Sequence, residues 1–364
     1  MNPSRKPLRA LALGAATLSI TLLSAVPGTS AGAFAGSQAS LAQAAPLASS
    51  SSKATDATLR VASFNIRNAN SNTHKKNEKS WASRRGTVVS QIKAQDLDVL
   101  GVQEATQGLL HGSDEGRNIS QFDDLRNRLG SGWKVTNSAR YNCVKSTSPN
   151  RCTYRYTGAS AANRILYDSD RVTMLDQGSK KLSSPKGEEN YMAWAVFRQN
   201  STGKTFALSN LHTISSDKYQ SYKKKQATQA AAELKKHRPA GASMIALGDW
   251  NSSRFERPSN GPYDAYRSAG FVDPLGQKYR STTTAPGATV QKRIRTWLNS
   301  SNGGWSRKAP AHRSWKNGSY IDYIMTTKMV VKEWETVARL DSKGNYIGTL
   351  PSDHNMIRAS VVLP

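Results

Sequence analysis

The sequence predicts a mixed α/β domain, and three observations predict it. Short apolar runs of strand length recur along the chain, helical patterns lie between them, and no Pro- or Gly-rich linker interrupts them after about residue 58. No internal repeat of roughly 20–50 residues is visible, so residues 59–364 are read as one domain.

The elements follow in order. Strands are expected at Leu59–Ile66, Val99–Gln103, Arg164–Tyr167, Ala193–Phe197, Phe206–Leu211, Met244–Leu247, Ile321–Met325 and Met356–Leu363, each short and rich in apolar residues. Helices are expected over Ser83–Ala94, where Val88, Val89 and Ile92 are apolar, and around Phe122–Leu129. A third is expected over Asp217–His237, an Ala/Gln/Lys-rich stretch that ends before Pro239.

The chain has 364 residues, 51 Lys+Arg against 25 Asp+Glu, a formal charge of +26, and only two cysteines. That excludes an acidic disordered protein, a disulfide-built scaffold and a Cys-ligated zinc module. Residues 1–33 read as a secretory signal peptide: Arg5, Lys6 and Arg9 precede an apolar run from Ala10 to about Val26, and Ala31-Gly32-Ala33 supplies an A-x-A cleavage site. Residues 34–58 are Ala/Ser-rich without periodicity and read as a flexible leader. The expected location is therefore extracellular, with no stable membrane insertion, because the apolar run falls short of the ~20 residues a span needs. In an oxidising compartment Cys143 and Cys152 are expected to pair, closing a short polar surface loop.

The chemistry lies where the strands end. Asn65, Glu104, His212 and Gly248-Asp249-Trp250-Asn251 each follow an apolar run, Asp322 lies within one, and Ser352-Asp353-His354 precedes the last. If neighbouring strands align, these groups converge on one edge. Glu104 is a hard oxygen ligand suited to Mg²⁺, which keeps water and substrate phosphate in its remaining positions. A phosphodiester requires charge neutralisation, an activated water and a stabilised leaving oxygen. Glu104 with a metal, Asp249 with Asn251, and His354 or His212 can divide those tasks, with Asp322 orienting an imidazole. Taken singly, Glu104, Gly248-Asp249-Trp250-Asn251 and Asp353-His354 read more readily as a loop residue, a turn and a cap or solvated pair than as a site, and His212 reads equally well as a satisfied strand-end histidine; the ordered set does not.

At this point the sequence resembles the endonuclease/exonuclease/phosphatase superfamily, the deoxyribonuclease-like metal-dependent phosphoesterases. The resemblance is carried by Ser63-Phe64-Asn65-Ile66, Val102-Gln103-Glu104, Asn163-Arg164-Ile165-Leu166-Tyr167, Asn210-Leu211-His212-Thr213, Gly248-Asp249-Trp250-Asn251, Ile321-Asp322-Tyr323-Ile324 and Ser352-Asp353-His354, in the family's order. It implies a four-layered α/β/β/α sandwich. It also implies a divalent cation, Mg²⁺ with Mn²⁺ or Ca²⁺ as alternatives, held by Glu104 with Asn65 beside it and Asp353 in support. By the same resemblance Asp249 positions or deprotonates the attacking water and Asn251 binds the scissile phosphate. His354, paired with Asp322, acts as general acid or base or holds the phosphate, and His212 serves phosphate binding and leaving-group protonation. Tyr320 and Thr213 depart from the family pattern, and no acidic partner for His212 is evident, so the division of proton transfer between the two histidines stays open.

Fold leaves the substrate open. From Gly276 to Gly318 there are nine Lys/Arg and no acids, among them Lys292, Arg293 and Arg295, with Tyr279, Trp297, Trp305 and Trp315 interspersed. Lys134 to Thr157 adds five more, again without acids. Basic groups attract a phosphate backbone and aromatic faces stack bases, which favours a nuclease acting as a monomer on DNA or RNA, with Asn163 and Arg164 also expected to contact substrate. The rivals are a sphingomyelinase- or phospholipase C-like lipid phosphodiesterase, whose basic loops would meet an anionic membrane, and a non-catalytic secreted nucleic-acid-binding protein.

Overall fold

A computed structural model describes residues 57–69, 75–106, 110, 119–137, 162–285, 288–312 and 314–364. The signal peptide, all but the last two residues of the leader, Cys143 and Cys152 lie outside the described residues.

Two sheets pack face to face. One has seven strands in the order β3 (Trp133–Val135), β4 (Arg164–Asp168), β2 (Val99–Gln103), β1 (Thr58–Asn65), β12 (Met356–Val362), β11 (Val330–Val337) and β9 (Val290–Ile294). The other has five in the order β10 (Asp322–Thr326), β8 (Ser243–Asp249), β7 (Thr205–His212), β6 (Asn190–Gln199) and β5 (Val172–Leu182). Helices α1 (Trp81–Lys93) and α2 (Gln121–Leu129) share a core with the outer face of the larger sheet, where Val88, Ile92 and Leu125 meet Phe64, Leu100 and Val102. Helices α3 (Gln220–His237) and α4 (Gly261–Ser268) bury Ala227, Ala230, Leu234 and Tyr266 against the smaller sheet. This is the expected four-layered sandwich.

Local chemistry explains the helix ends. Ser80 and Ser120 cap α1 and α2 by accepting from Ser83 N and Asp123 N, and α4 carries Pro262 in its first turn. The third expected helix begins as a 3₁₀ turn, Asp217–Tyr219, and continues as α3; Arg238, extended ahead of Pro239, ends it.

Strand direction positions the site. β1 runs parallel to β2 with Asn65 opposite Gln103, and β7 runs parallel to β8 with His212 opposite Asp249. β10 is antiparallel to β8 and begins with Asp322 opposite Asp249, while β12, antiparallel to β1, begins just after His354. Two parallel pairs that end, and two antiparallel strands that start, therefore meet at one edge.

The two sheets are joined by polar contacts close to that edge. Asn210 on β7 donates to Val102 O and Arg164 O at 2.8 and 2.9 Å and accepts from Gln103 Nε2 at 2.7 Å. All are buried, so they fix one sheet against the other. Gly101 permits this approach, since a Cβ there would lie 2.1 Å from Leu247 Cδ1.

Candidate active site

Asp249 is the hub of the edge. Its Oδ2 accepts from Asn65 Nδ2 at 3.0 Å and lies 3.4 Å from His212 Nε2 and 3.7 Å from His354 Nε2. Its Oδ1 accepts from Asn251 N at 2.9 Å, and Asn251 Nδ2 donates to Thr213 O at 3.0 Å. Asp249 thus supplies the acidic partner for His212 that the sequence did not reveal. Between Asp249 and Asn251, the buried Trp250 is stacked between Tyr266 and Tyr323, with ring centroids 4.4 and 4.5 Å away. Gly248, the β8 residue before Asp249, has a φ of 144°, and a Cβ there would lie 1.8 Å from Leu211 O, so the position has no room for a side chain.

His354 and Asp322 form a dyad: His354 Nδ1 sits 2.9 Å from Asp322 Oδ2. Ser300 Oγ accepts from Asp322 N at 3.1 Å, and Ser352 Oγ donates to Asn65 O at 2.6 Å while accepting from His354 N at 3.2 Å. Burial works against charge on the imidazole, but Asp322 and Asp249 outweigh it and hold its pKa well above the ordinary histidine value. For Asp322, burial dominates and raises the carboxyl despite the attraction of His354. The two carboxylates thus favour the proton on the ring, whose Nε2 lies 3.7 Å from Asp249 Oδ2.

Glu104 faces the same space. Its Oε1 accepts from Asn65 Nδ2 at 3.0 Å and its Oε2 from Asn68 N at 3.1 Å. Burial pushes its pKa up, yet the charge of His212 and the hydrogen bonds from Asn65 and Asn68 outweigh that and lower it. Arg67, which sequence reasoning missed, places Nη1 3.7 Å from Glu104 and 3.9 Å from Asp353. Arg84, buried in α1, donates to Arg67 O at 2.7 Å and Pro351 O at 3.0 Å, tying both loops together. Arg67, Glu104 and Asn251 have φ of 58°, 57° and 46°, a left-handed backbone that non-glycine residues adopt mainly where surrounding contacts enforce it. The adjacency of Arg67 to Asn65-Ile66 was its available signal, and Ser352 stands in the Ser352-Asp353-His354 stretch; Ser300 had no signal.

Two carboxylate groupings offer themselves to a cation. Asp249, Asp322 and His354 present ligand atoms within 4.8 Å of one another, but His354 Nδ1 and Asp322 Oδ2 already bond each other at 2.9 Å. Glu104 and Asp353 keep part of their side chains exposed, at 24% and 18%, and their two carboxylates form a hard oxygen set beside which Asn65 Nδ2 donates to Glu104 Oε1. That set fits a divalent cation, and the dyad fits proton handling.

The remaining expected contacts lie elsewhere. Asn163 is buried and donates to Tyr191 O at 2.6 Å. Arg164 is wholly buried, donating to Asn137 O at 3.0 Å with its guanidinium over the Phe122 ring, so it serves packing rather than a substrate surface. Lys292 pairs with Glu333 at 2.7 Å, Arg293 donates to Asn317 Oδ1 at 2.6 Å and Leu275 O at 2.9 Å, and Arg295 pairs with Glu335. Trp305 belongs to a small core with Leu298 and Leu350 and presents no stacking face.

Comparison with known proteins agrees with this geometry. The model of the Endonuclease/Exonuclease/phosphatase family matches residues 62–354. Among solved structures, the mannosyl-6-phosphatase Bt3783 of Bacteroides thetaiotaomicron VPI-5482 aligns with a TM-score of 0.58 at 20% identity, covering 84% of this chain and 99% of its own. The human nocturnin catalytic domain with bound sulfate gives 0.53 at 16% identity, covering 85% and 95%. D. rerio TDP2 complexed with a single-strand DNA product gives 0.52 at 16%, covering 84% and 99%. No curated protein matches the sequence significantly.

Proposed function

The chain belongs to the endonuclease/exonuclease/phosphatase family, and from that footing we propose that it is a secreted, Mg²⁺-dependent phosphodiesterase that hydrolyses the backbone of DNA or RNA. The observation that carries the reading is that Asp249 Oδ2 contacts Asn65 and stands between the two imidazoles, at 3.4 and 3.7 Å. A water at that oxygen has a base beside it, a cationic ring for the phosphate and a second imidazole for the leaving oxygen.

When bound, the cation supplies Lewis-acid neutralisation of a phosphate oxygen; Glu104 and Asp353, with Asn65, would hold it. Asp249 orients the attacking water and accepts its proton. His354, kept protonated by Asp322, opposes the charge that develops on the phosphoryl oxygens, and His212 protonates the leaving oxygen. Asn251, fixed by Asp249 and Thr213, lines the phosphate side. The basic, acid-free stretch from Gly276 to Gly318 supports a polyanionic substrate, and TDP2, of the same fold, has been seen with single-strand DNA product.

Purified protein incubated with plasmid DNA, RNA, sphingomyelin and a sugar phosphate monoester, each with Mg²⁺ or chelator, tests the proposal. Cleavage of a polynucleotide only with metal, abolished by Asp249→Asn and His354→Ala, is the expected result. Turnover of the lipid or monoester alone would replace the nuclease reading, and full activity in both variants would end the mechanism.

A further inference from the structure

Outside the catalytic cluster, one surface combines exposed aromatic rings with cations. Phe255 follows Asn251 by four residues, so its Cα lies within about 14 Å of that residue's Cα. Its side chain is 37% exposed, and Tyr279 is 41% exposed. The Phe255 ring lies 5.6 Å from Trp315, and Trp315 stacks on His312 at 3.6 Å with an interplanar angle of 12°. Tyr279 OH donates to Glu256 O and Pro258 O at 2.7 and 2.6 Å, which holds that ring against the same loop. Trp315 stands seven residues before Asp322 on the connection that enters β10, so both catalytic strand ends feed this patch.

Beneath the rings lies Arg254, 2% exposed, its guanidinium 4.9 Å from the Phe255 ring centroid and 5.5 Å from that of Trp315. Nη2 donates to Asn317 O at 2.6 Å, while Nε and Nη1 have no hydrogen-bond partner among the described residues. A buried cation that uses one of its three nitrogens costs stability unless something else compensates it. Here the guanidinium packs against the Phe255 and Trp315 rings, and Trp315 stacks in turn on His312. Lys278, Arg280 and Lys316 are exposed around the rings.

We propose that Phe255, Trp315 and His312 form a platform on which an unpaired base of a single-stranded polynucleotide stacks beside the scissile phosphate. Planar rings next to cations, with Phe255 four residues after the catalytic Asp249-Trp250-Asn251 turn, match a base with its attached phosphates; a paired base has no free face to offer. The inference deepens the nuclease reading and rests on it.

Binding in chelator, without turnover, separates the two. Tryptophan fluorescence is followed as a single-stranded oligonucleotide, the same oligonucleotide with abasic positions, and its duplex are titrated into the full chain. Stacking predicts quenching and about ten-fold tighter binding of the base-bearing single strand than of the abasic one. In Phe255→Ala/Trp315→Ala that preference disappears, and in Trp315→Phe it survives while the quenching shrinks. Circular dichroism confirms folding, and Phe255→Leu, which keeps bulk without an aromatic face, covers a double variant that fails to fold. Equal affinity of parent protein for base-bearing and abasic strands, or a preference retained in Phe255→Leu, overturns the platform even if DNA is cleaved. Loss of all polynucleotide cleavage in the parent protein would instead sink the nuclease reading, with the platform judged by the binding data alone.

Discussion

At the base of the sandwich, where β1 and β2 begin, Arg171 lies 3.1 Å from Asp98 and 3.6 Å from Asp168 and pairs with Asp96, while Arg60 N donates to Asp98 at 2.7 Å. A cavity of about 540 Å³ opens there, lined by Thr58, Arg60, Asp96, Asp98, Asp170 and Arg171. At the opposite edge, where the same strands end, Glu104 and Asp353 have a guanidinium only at 3.7 and 3.9 Å, and Asp249 is surrounded by an amide and two imidazoles. Both ends hold carboxylates and cations, but at the base Arg171 pairs directly with Asp96, Asp98 and Asp168. At the edge the carboxylates are held apart by groups that carry or donate protons, so a cation and a phosphate can complete the arrangement. Cavity size alone points to the wrong end.

The largest effect that breaks this comparison belongs to the edge. His354→Ala and Asp249→Asn should each lower kcat by about 10²–10⁴ with little change in fold, read by steady-state kinetics and circular dichroism. Arg171→Gln at the base should leave kcat and KM unchanged while costing about 1–2 kcal/mol in urea melts, because Asp98 keeps its backbone donor. A kcat loss in Arg171→Gln comparable with that of His354→Ala would erase the distinction between the ends.

Next is Asp322→Asn, which removes the strongest support for the His354 proton. The alkaline limb of activity should move to lower pH, with kcat down roughly 10²-fold or more. Stability follows the same proton. The folded state binds it more tightly than the unfolded chain, so the stabilisation is complete below the ordinary histidine pKa of about 6.5 and is lost as pH rises through the higher folded value. Glu104 has the opposite sign: its lowered pKa stabilises above about 4.5, and that contribution is lost as pH falls through the folded value. Thermal melts in chelator, run from well below the ordinary glutamate pKa of about 4.5 to well above the ordinary histidine value of about 6.5, should show both slopes in the parent protein. Asp322→Asn should flatten the alkaline one only.

A smaller effect concerns the contact between sheets that aligns the edge. Asn210→Ala leaves Val102 O, Arg164 O and Gln103 Nε2 short of a partner, at about 1–3 kcal/mol for each buried group left unpaired. Melts should show the loss, and kcat should fall less than in His354→Ala.

Much of this was legible in the sequence, for a physical reason. β1, β2, β7 and β8 are buried on both faces, so they read as continuous apolar runs, and the polar residues that end them stand out. β5, only half-buried from Thr173 to Lys181, has no such run, and α4 with Gly261-Pro262 is too short for a helical period; both went unread. β9 and the Arg295 that follows it read as a cationic surface stretch because Lys292, Arg293 and Arg295 stand out there. Glu333 and Glu335, the partners of Lys292 and Arg295, sit 41 and 40 residues further on in β11 and become neighbours only through sheet pairing. The Asp249–His212 contact was hidden in the same way, since it depends on the parallel register of β7 and β8. Types of side chain are visible in one dimension, whereas pairing between strands is not.

The smallest expected effect sharpens that last point. A lysine already 2.7 Å from Glu333 releases few counterions when a polyanion arrives, because its charge is locally neutralised. Lys292→Gln should therefore leave the slope of log affinity against log salt unchanged. Lys278→Gln, Arg280→Gln and Lys316→Gln, exposed beside the aromatic platform, should each flatten it by about one. Measured by oligonucleotide titration across a range of salt, a flattened slope in Lys292→Gln would mean that the Glu333 pair opens on binding. The basic strand β9 would then be part of the substrate path after all, and the division drawn here between paired and unpaired charge would have to be moved to include it.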